Sequence, residues 1–204
     1  MFATDRDLLV FEPGLFGEVA WVGQRLVNGT GEITGSALVM TSQDNGFDST
    51  GVGAGSVVLA GGTSYEVVSR TSGTALAISR LRSSVTAAVL PPAALAAGKV
   101  QVFTFAPQIG MAHARALALL GVTDAAAIVN GSELSAYEAL SALHLIFAGA
   151  SAHSGPRSPA GQRAEWYRVR AEAERQRVVA EVDTDGDGVA ESVRRPGVGR
   201  FVRV

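Results

Sequence analysis

The chain has 204 residues, enough for one domain or for one domain that carries an added module. Its formal net charge is −2, which is unlike the basic balance of a nucleic-acid-binding surface. It contains no cysteine, and this excludes disulfides, thiolate metal centres and cysteine nucleophiles.

Charged residues make up only 18% of the chain and hydrophobic residues 47%. A surface with so few charges favours burial against neighbouring subunits. The first seven residues, MFATDRD, include acidic side chains and no long apolar run, so they do not predict a secretory signal. No segment approaches the ~18 apolar residues of a membrane helix, so the sequence predicts no membrane partner.

Residues 1–24 predict a short helix followed by a break. Thr4 can cap the helix, and Asp5 and Asp7 suit the positive end of its dipole. Pro13 and Gly14 then interrupt the chain.

Residues 25–105 change to short β-branched runs separated by turns that are rich in glycine and serine. The predicted strands cover residues 36–41, 56–60, 65–70, 75–82 and 99–105. Short strands at this spacing are typical of a small antiparallel barrel or sandwich. The glycine-rich segment 42–55 predicts a long, mobile loop.

From residue 106 the apolar spacing becomes helical. A first helix ends before Gly121, a second begins near Ser132, and a third begins at Ser158-Pro159, with the serine as N-cap. His113 and His144 lie on apolar faces of different helices, so we interpret them as core or interface side chains with satisfied hydrogen bonds.

Together these elements predict an α+β fold. Its scaffold would be a helical bundle, made of the short N-terminal helix and the three C-terminal helices. A small antiparallel β-barrel or sandwich would be inserted into this bundle, and an extended C-terminal arm would follow it. The predicted boundaries are 1–24 for the N-terminal helical segment, 25–105 for the β-module, 106–181 for the helical domain and 182–204 for the turn and arm.

The segment Asp183-Thr-Asp-Gly-Asp-Gly188 resembles the opening of a calcium loop. Asp183, Asp185 and Asp187 occupy the first, third and fifth positions, glycine the sixth, and Glu191 the ninth. The loop is incomplete because Arg194 stands where a bidentate carboxylate is expected. Two interpretations therefore remain open: a Ca²⁺ site formed by these four carboxylates, or an acidic turn between a helix and a strand.

The end of the chain is basic and alternates with apolar residues, like a strand that could add to the edge of a partner's sheet. It predicts a partner-docking arm whose contact residues would be Arg194, Arg195, Arg200, Phe201, Val202 and Arg203.

Three segments in the C-terminal half resemble tailed-bacteriophage head–tail connector proteins, also called adaptors. They are the helical sequence AEWYRVRAEAERQR from Ala164, the acidic turn VDTDGDGVAE from Val182, and the basic end GRFVR from Gly199. The helix SAYEALSALHLIF from Ser135 is similar to the second core helix of that family. The resemblance covers roughly residues 107–204.

The resemblance implies a structural, non-enzymatic virion protein that is assembled in the cytoplasm of a host bacterium. Such subunits form a ring, typically of about twelve copies, and a ring needs head-to-tail interfaces between subunits. The ring joins the portal protein to a tail terminator or stopper, and DNA passes non-specifically through its lumen. The predicted inter-subunit residues are on the third C-terminal helix: Trp166, Tyr167 and Arg170.

Other functions remain open from the sequence. Within the same structural class, the chain could be another neck or tail-completion protein, of a phage or of a gene-transfer particle. A different class, a calcium-stabilised binding module, would need the complete cation loop that Arg194 interrupts. An enzyme would need a convergent polar site, and the sequence predicts none and no cofactor besides Ca²⁺.

Overall fold

A computed structural model describes residues 1–197. The chain forms two compact units: one contains Thr4–Phe105, and the other contains Met1–Ala3 together with the chain from Ala106 onward. We call the first the barrel unit and the second the helical unit.

The barrel unit begins with two short helices, α1 (Asp5–Phe11) and α2 (Leu15–Glu18). Six strands follow: β1 (Arg25–Thr34), β2 (Ala37–Gln43), β3 (Val57–Ala60), β4 (Thr63–Arg70), β5 (Ala75–Ser79) and β6 (Leu95–Phe103). They close a barrel in the order β1-β2-β5-β4-β3-β6, and every neighbouring pair is antiparallel.

Alternating side chains from all six strands fill the barrel core. The segment 42–55, which the sequence predicted as a mobile loop, also contributes to this core, because Phe47 and Val52 are fully buried. The guanidinium group of Arg70 donates to the carbonyl oxygens of both residues, at 3.1 and 3.2 Å. The two buried side chains and the hydrogen bonds from Arg70 therefore hold the loop to the barrel.

The helical unit contains α3 (Ala106–Leu120), α4 (Ser135–Ala150) and α5 (Pro159–Arg177). A two-stranded sheet, β7 (Ala180–Val182) and β8 (Ser192–Arg194), follows them. The predicted start of α5 is confirmed: Ser158 is its N-cap, and the Ser158 hydroxyl accepts a hydrogen bond from the Gly161 amide at 3.1 Å.

The predicted scaffold, a helical bundle with an inserted β-module, is wrong. The structure is α+β, with a closed six-stranded antiparallel barrel. Helix α1 belongs to the same compact unit as this barrel. The reason lies in the partners of α1: Arg6 bonds Glu66 of β4, and the Asp5 carboxylate accepts from the Phe105 amide. Because α1 belongs to the barrel unit, it does not form one helical scaffold with α3, α4 and α5.

Candidate functional site

The acidic turn joins β7 to β8 and is organised around the side chain of Asp183. This carboxylate accepts hydrogen bonds from the amides of Gly186 at 2.6 Å, Gly188 at 2.7 Å and Asp185 at 3.2 Å. Gly186 and Gly188 have φ values of 84° and 88°, a left-handed conformation that glycine adopts readily. The amide hydrogen bonds, first that of Gly186, lower the pKa of Asp183 and hold its carboxylate ionised.

Four carboxylates of this turn form a group that could hold a metal ion. Asp183, Asp185, Asp187 and Glu191 each offer one oxygen, and these oxygens all lie within 4.8 Å of one another. Asp183 is buried, whereas Asp185, Asp187 and Glu191 are exposed to solvent. Glu191 also accepts from the amide of Thr184 at 2.5 Å and from its hydroxyl at 2.9 Å.

Arg194, at the position where a calcium loop closes, is used elsewhere in the helical unit. Its guanidinium Nη1 donates to the carbonyl oxygens of Leu120 at 3.0 Å and Gly121 at 2.7 Å. These carbonyls are at the C-terminal end of α3, where a positive charge interacts favourably with the negative end of the helix dipole. Arg194 thus holds β8 against the end of α3.

The other predicted docking residues divide into two groups. Arg195 is exposed on the chain that follows β8. The remaining four lie outside the described residues: Arg200, Phe201, Val202 and Arg203.

The three predicted inter-subunit residues of α5 do not share one surface. The Trp166 side chain is 53% exposed, and the Arg170 guanidinium lies over its ring, 4.5 Å from the centroid. Tyr167 is fully buried and stacks on Phe147 of α4, with 5.7 Å between ring centroids. The Trp166 side chain is therefore exposed to a partner, whereas Tyr167 packs the core of the helical unit.

A second cluster of charge in the helical unit was not predicted from the sequence. Glu138 of α4 is fully buried, and one carboxylate oxygen accepts from the amides of Phe2 at 2.9 Å and Ala3 at 3.0 Å. The other oxygen accepts from Nδ1 of His113 at 2.5 Å. The sequence signal for this cluster is the single acidic residue of a mostly apolar helix.

Both helical histidines have a hydrogen-bond partner, which confirms their interpretation as satisfied side chains. His113 bonds Glu138, and Nδ1 of His144 lies 3.0 Å from the carbonyl oxygen of Ala164 in α5. Each histidine therefore links α4 to a neighbouring helix.

Comparisons of the chain with protein-family models, with curated proteins and with solved structures found no match. Within residues 1–197, no helix is both long and apolar enough to cross a membrane.

Proposed function

We propose that this chain is a structural, non-enzymatic subunit of the neck of a tailed phage or of a related gene-transfer particle. In this role it is an adaptor that forms a ring between the portal and the tail or stopper and joins the head to the tail. The observation that carries the proposal is the order of features at its C-terminal end. A helix with an exposed tryptophan leads into an acidic turn within a β-hairpin, and a basic segment follows.

The surface chemistry supports assembly rather than binding of a diffusible substrate. Trp166 and Arg170 lie together on α5, and aromatic and arginine side chains are enriched in protein interfaces. The net charge of −2 also suits a channel subunit, because DNA slides past a wall that does not hold its phosphates.

The direct test is the composition of purified particles. Quantitative mass spectrometry should find the chain in particles in proportion to the portal protein, and deletion of its gene should leave DNA-filled heads without tails. Normal joining of heads and tails in the deletion strain would overturn the adaptor role. Presence of the chain in isolated tails but not in tail-less heads would instead favour a tail-completion protein.

A truncation after Gly197 tests the docking arm. It removes Arg200, Phe201, Val202 and Arg203, and it leaves in place the bonds from Arg194 to α3. We expect a folded protein, with an unchanged circular dichroism spectrum, that fails to join heads to tails. Full joining activity of the truncated chain would contradict the docking role of these residues.

We also propose that the metal ion suited to the acidic turn is Ca²⁺. Four carboxylate oxygens within one exposed turn match the preference of Ca²⁺ for several oxygen ligands. In the adaptor the ion would reduce the repulsion between four carboxylates and stiffen the β7–β8 hairpin.

Calorimetry and thermal unfolding with CaCl₂ and MgCl₂ test this assignment. Ca²⁺ at ten times its dissociation constant should stabilise the protein by about 1.4 kcal/mol. The double variant Asp185→Asn, Asp187→Asn should lose the effect. Glu181→Gln should keep it, because it removes a nearby negative charge that is not part of the cluster. No heat and no thermal shift at millimolar Ca²⁺ would leave only the acidic-turn interpretation.

The same cluster favours one candidate of another class, a calcium-stabilised binding module. That function predicts Ca²⁺ binding together with absence of the chain from virus-like particles. The two measurements therefore separate the candidates.

A further inference from the structure

Residues 1–3 form a short segment, which we call the strap, that is seated on the helical unit by backbone and side-chain contacts. The amides of Phe2 and Ala3 both donate to the buried carboxylate of Glu138, at 2.9 and 3.0 Å. The Phe2 ring meets the ring of His113 edge-on, with 5.0 Å between the ring centroids. Because two amides and one aromatic ring have partners here, the strap has a defined place in the unit.

The Phe2 ring also occupies space that a side chain at position 131 would need. A Cβ atom on Gly131 would lie 2.5 Å from Cδ1 and 2.6 Å from Cε1 of this ring. An ordinary contact between two carbon atoms is about 3.5–4.0 Å, so the ring packs on bare backbone. The φ angle of Gly131 is not in the left-handed region, so the ring, rather than the backbone conformation, is what opposes a side chain at this position.

Gly131 directly follows the segment that pairs with β7. Ile128 forms an antiparallel bridge with Val182 of β7. Four hydrogen bonds of 2.8–2.9 Å join residues 127–130 to β7 and its flanking positions: Val129 to Glu181, Asp183 to Ala127, Glu181 to Asn130, and Asn130 to Val179. Residues 127–130 therefore form one edge of the small sheet to which the β7–β8 hairpin belongs.

The side chain of Asn130 links the two sets of contacts. Its oxygen accepts from the Glu181 amide, and its nitrogen donates to the Val179 carbonyl. Asn130 is also the immediate neighbour of Gly131 along the chain. A shift of Gly131 would therefore move the residue that makes two of the four bonds to the hairpin.

We propose that the strap is a conformational device that controls how firmly the β7–β8 hairpin is held. With the Phe2 ring seated on Gly131, residues 127–130 keep the position in which they bond β7. Release of the strap frees Gly131 to move, and the hairpin then opens more often. The proposal does not depend on the adaptor role, because all of its contacts lie within the helical unit.

The device acts on the part of the unit that carries the acidic turn. The turn joins β7, which ends at Val182, to β8, which begins at Ser192, so the hairpin holds both ends of the turn. At its other end the strap continues directly into the barrel unit at Thr4. A partner that displaced this connection would reach the strap without an intervening linker, and would thereby change how the acidic turn is held.

Amide hydrogen exchange of the purified full chain tests the proposal. Phe2→Ala removes the ring, and Phe2→Leu keeps an apolar side chain beside Gly131. The reporter amides are those that donate the backbone bonds between residues 127–130 and the hairpin: Val129, Glu181 and Asp183. In Phe2→Ala their exchange rates should rise about tenfold, a usual size for coupling between residues in contact. Phe2→Leu should give a smaller increase.

Gly131→Ala tests the same contact from the other side. Its Cβ would displace the Phe2 ring, so the reporter amides should again exchange about tenfold faster. Gly110→Ala is the matched control, because its Cβ would lie at an ordinary 3.9 Å from Sδ of Met1 and would leave the ring in place. The reporter amides of the control should exchange as in wild type, and acceleration equal to that of Gly131→Ala would overturn the proposal.

The double variant Phe2→Ala, Gly131→Ala separates the ring from the backbone. Without the ring, the added methyl group has nothing to displace, so the double variant should exchange at the rate of Phe2→Ala alone. Effects that multiply to about a hundredfold would show that the two substitutions act independently, and this result would refute the coupling.

Two other outcomes would also overturn the proposal. Faster exchange of the Ala3 amide in Phe2→Ala, with no change at the reporter amides, would mean that the strap is released and the hairpin does not respond. Equal acceleration of the reporter amides and of the amides of α4 and α5 would mean a general loss of stability. The measurement needs no virus-like particles, so the coupling and the adaptor role can fail independently.

Discussion

Each of the two units buries one glutamate completely, but the partners of the two carboxylates differ. In the barrel unit, Glu66 of β4 bonds the guanidinium groups of Arg6 and Arg82. In the helical unit, Glu138 of α4 bonds one histidine and two backbone amides. The same buried group is thus bonded by two permanent cations in one unit and by a histidine and two backbone amides in the other.

This difference indicates which unit depends more on its buried charge. One further donor of each arginine also has a backbone partner: Nη2 of Arg6 donates to the Arg82 carbonyl at 2.7 Å, and Nη1 of Arg82 donates to the Ala87 carbonyl at 3.0 Å. Loss of Glu66 would leave two buried cations side by side. Loss of Glu138 would leave only amides and a histidine, which can be neutral.

The largest expected effect is therefore that of Glu66→Ala. We expect it to lower the free energy of unfolding of the barrel unit by about 4 kcal/mol, because it removes the shared partner of two buried arginines. The chain has two tryptophans, and Trp21 lies in the barrel unit while Trp166 lies in the helical unit. Urea unfolding followed by Trp21 fluorescence, in a Trp166→Phe background, measures the loss. A change below about 1 kcal/mol would show that the network is not needed for stability.

The second effect is a pH dependence that arises in the barrel unit. Burial raises the pKa of Asp5 from 3.8 to about 6, although bonds from the Phe105 amide and from Thr104 oppose the shift. The native state therefore binds the proton more tightly than the unfolded state. The stabilisation is complete below the unfolded pKa of 3.8 and is lost as the pH rises through about 6.

Asp5→Asn removes this titration and can still accept the bond from the Phe105 amide. The stability of the variant relative to wild type should rise by as much as about 3 kcal/mol between about pH 3.5 and pH 7.5. Urea unfolding of both proteins across this range measures the difference between their free energies of unfolding. The contributions of the other carboxylates cancel in this difference, because both proteins contain them. A difference that does not change with pH would contradict the buried-carboxylate explanation.

The sequence predicted those parts of the fold that local patterns determine. Five barrel strands and the start of α5 follow from alternation and capping, but β1 was missed because Gly29 and Gly31 resemble a turn. A Cβ atom at position 29 would lie 1.9 Å from the backbone oxygen of Ser42 in β2. Glycine at this position therefore allows β1 and β2 to approach closely beside a bulge. The wrong scaffold has a similar cause, because the bond between Arg6 and Glu66 spans 60 residues and leaves no local pattern.

The candidate metal group was predictable from spacing alone, because consecutive turn residues bring Asp183, Asp185 and Asp187 together. The role of Arg194 was not predictable from the sequence, because its partners at the end of α3 are more than 70 residues away along the chain. The burial of Tyr167 was missed for a related reason. The many charges of α5 hide which face of the helix packs on α4.

The third prediction tests the helical side of the comparison. We expect Glu138→Ala to lower the free energy of unfolding by about 2 kcal/mol, because the amides of Phe2 and Ala3 lose a buried acceptor. Glu138→Gln should cost less, because its amide oxygen can still accept a hydrogen bond. Circular dichroism at 222 nm follows the unfolding, and hydrogen exchange of the Phe2 and Ala3 amides reports the anchor directly. Unchanged exchange in Glu138→Ala would exclude the carboxylate as the group that holds this segment.

The smallest effect is expected for the exposed ion pair of α5. Comparison of this pair with the two buried glutamates tests whether burial determines how much a charged side chain contributes to stability. Glu165 bonds Arg168 through two contacts of 2.7 and 2.8 Å, a geometry as favourable as that of the buried networks. The hydrogen bond from Arg168 lowers the pKa of Glu165, yet both side chains are more than half exposed. Water and salt screen such a pair, so Glu165→Gln should unfold indistinguishably from wild type in urea. A loss comparable to that of Glu138→Ala would mean that hydrogen-bond geometry, rather than burial, sets the importance of charges in this chain.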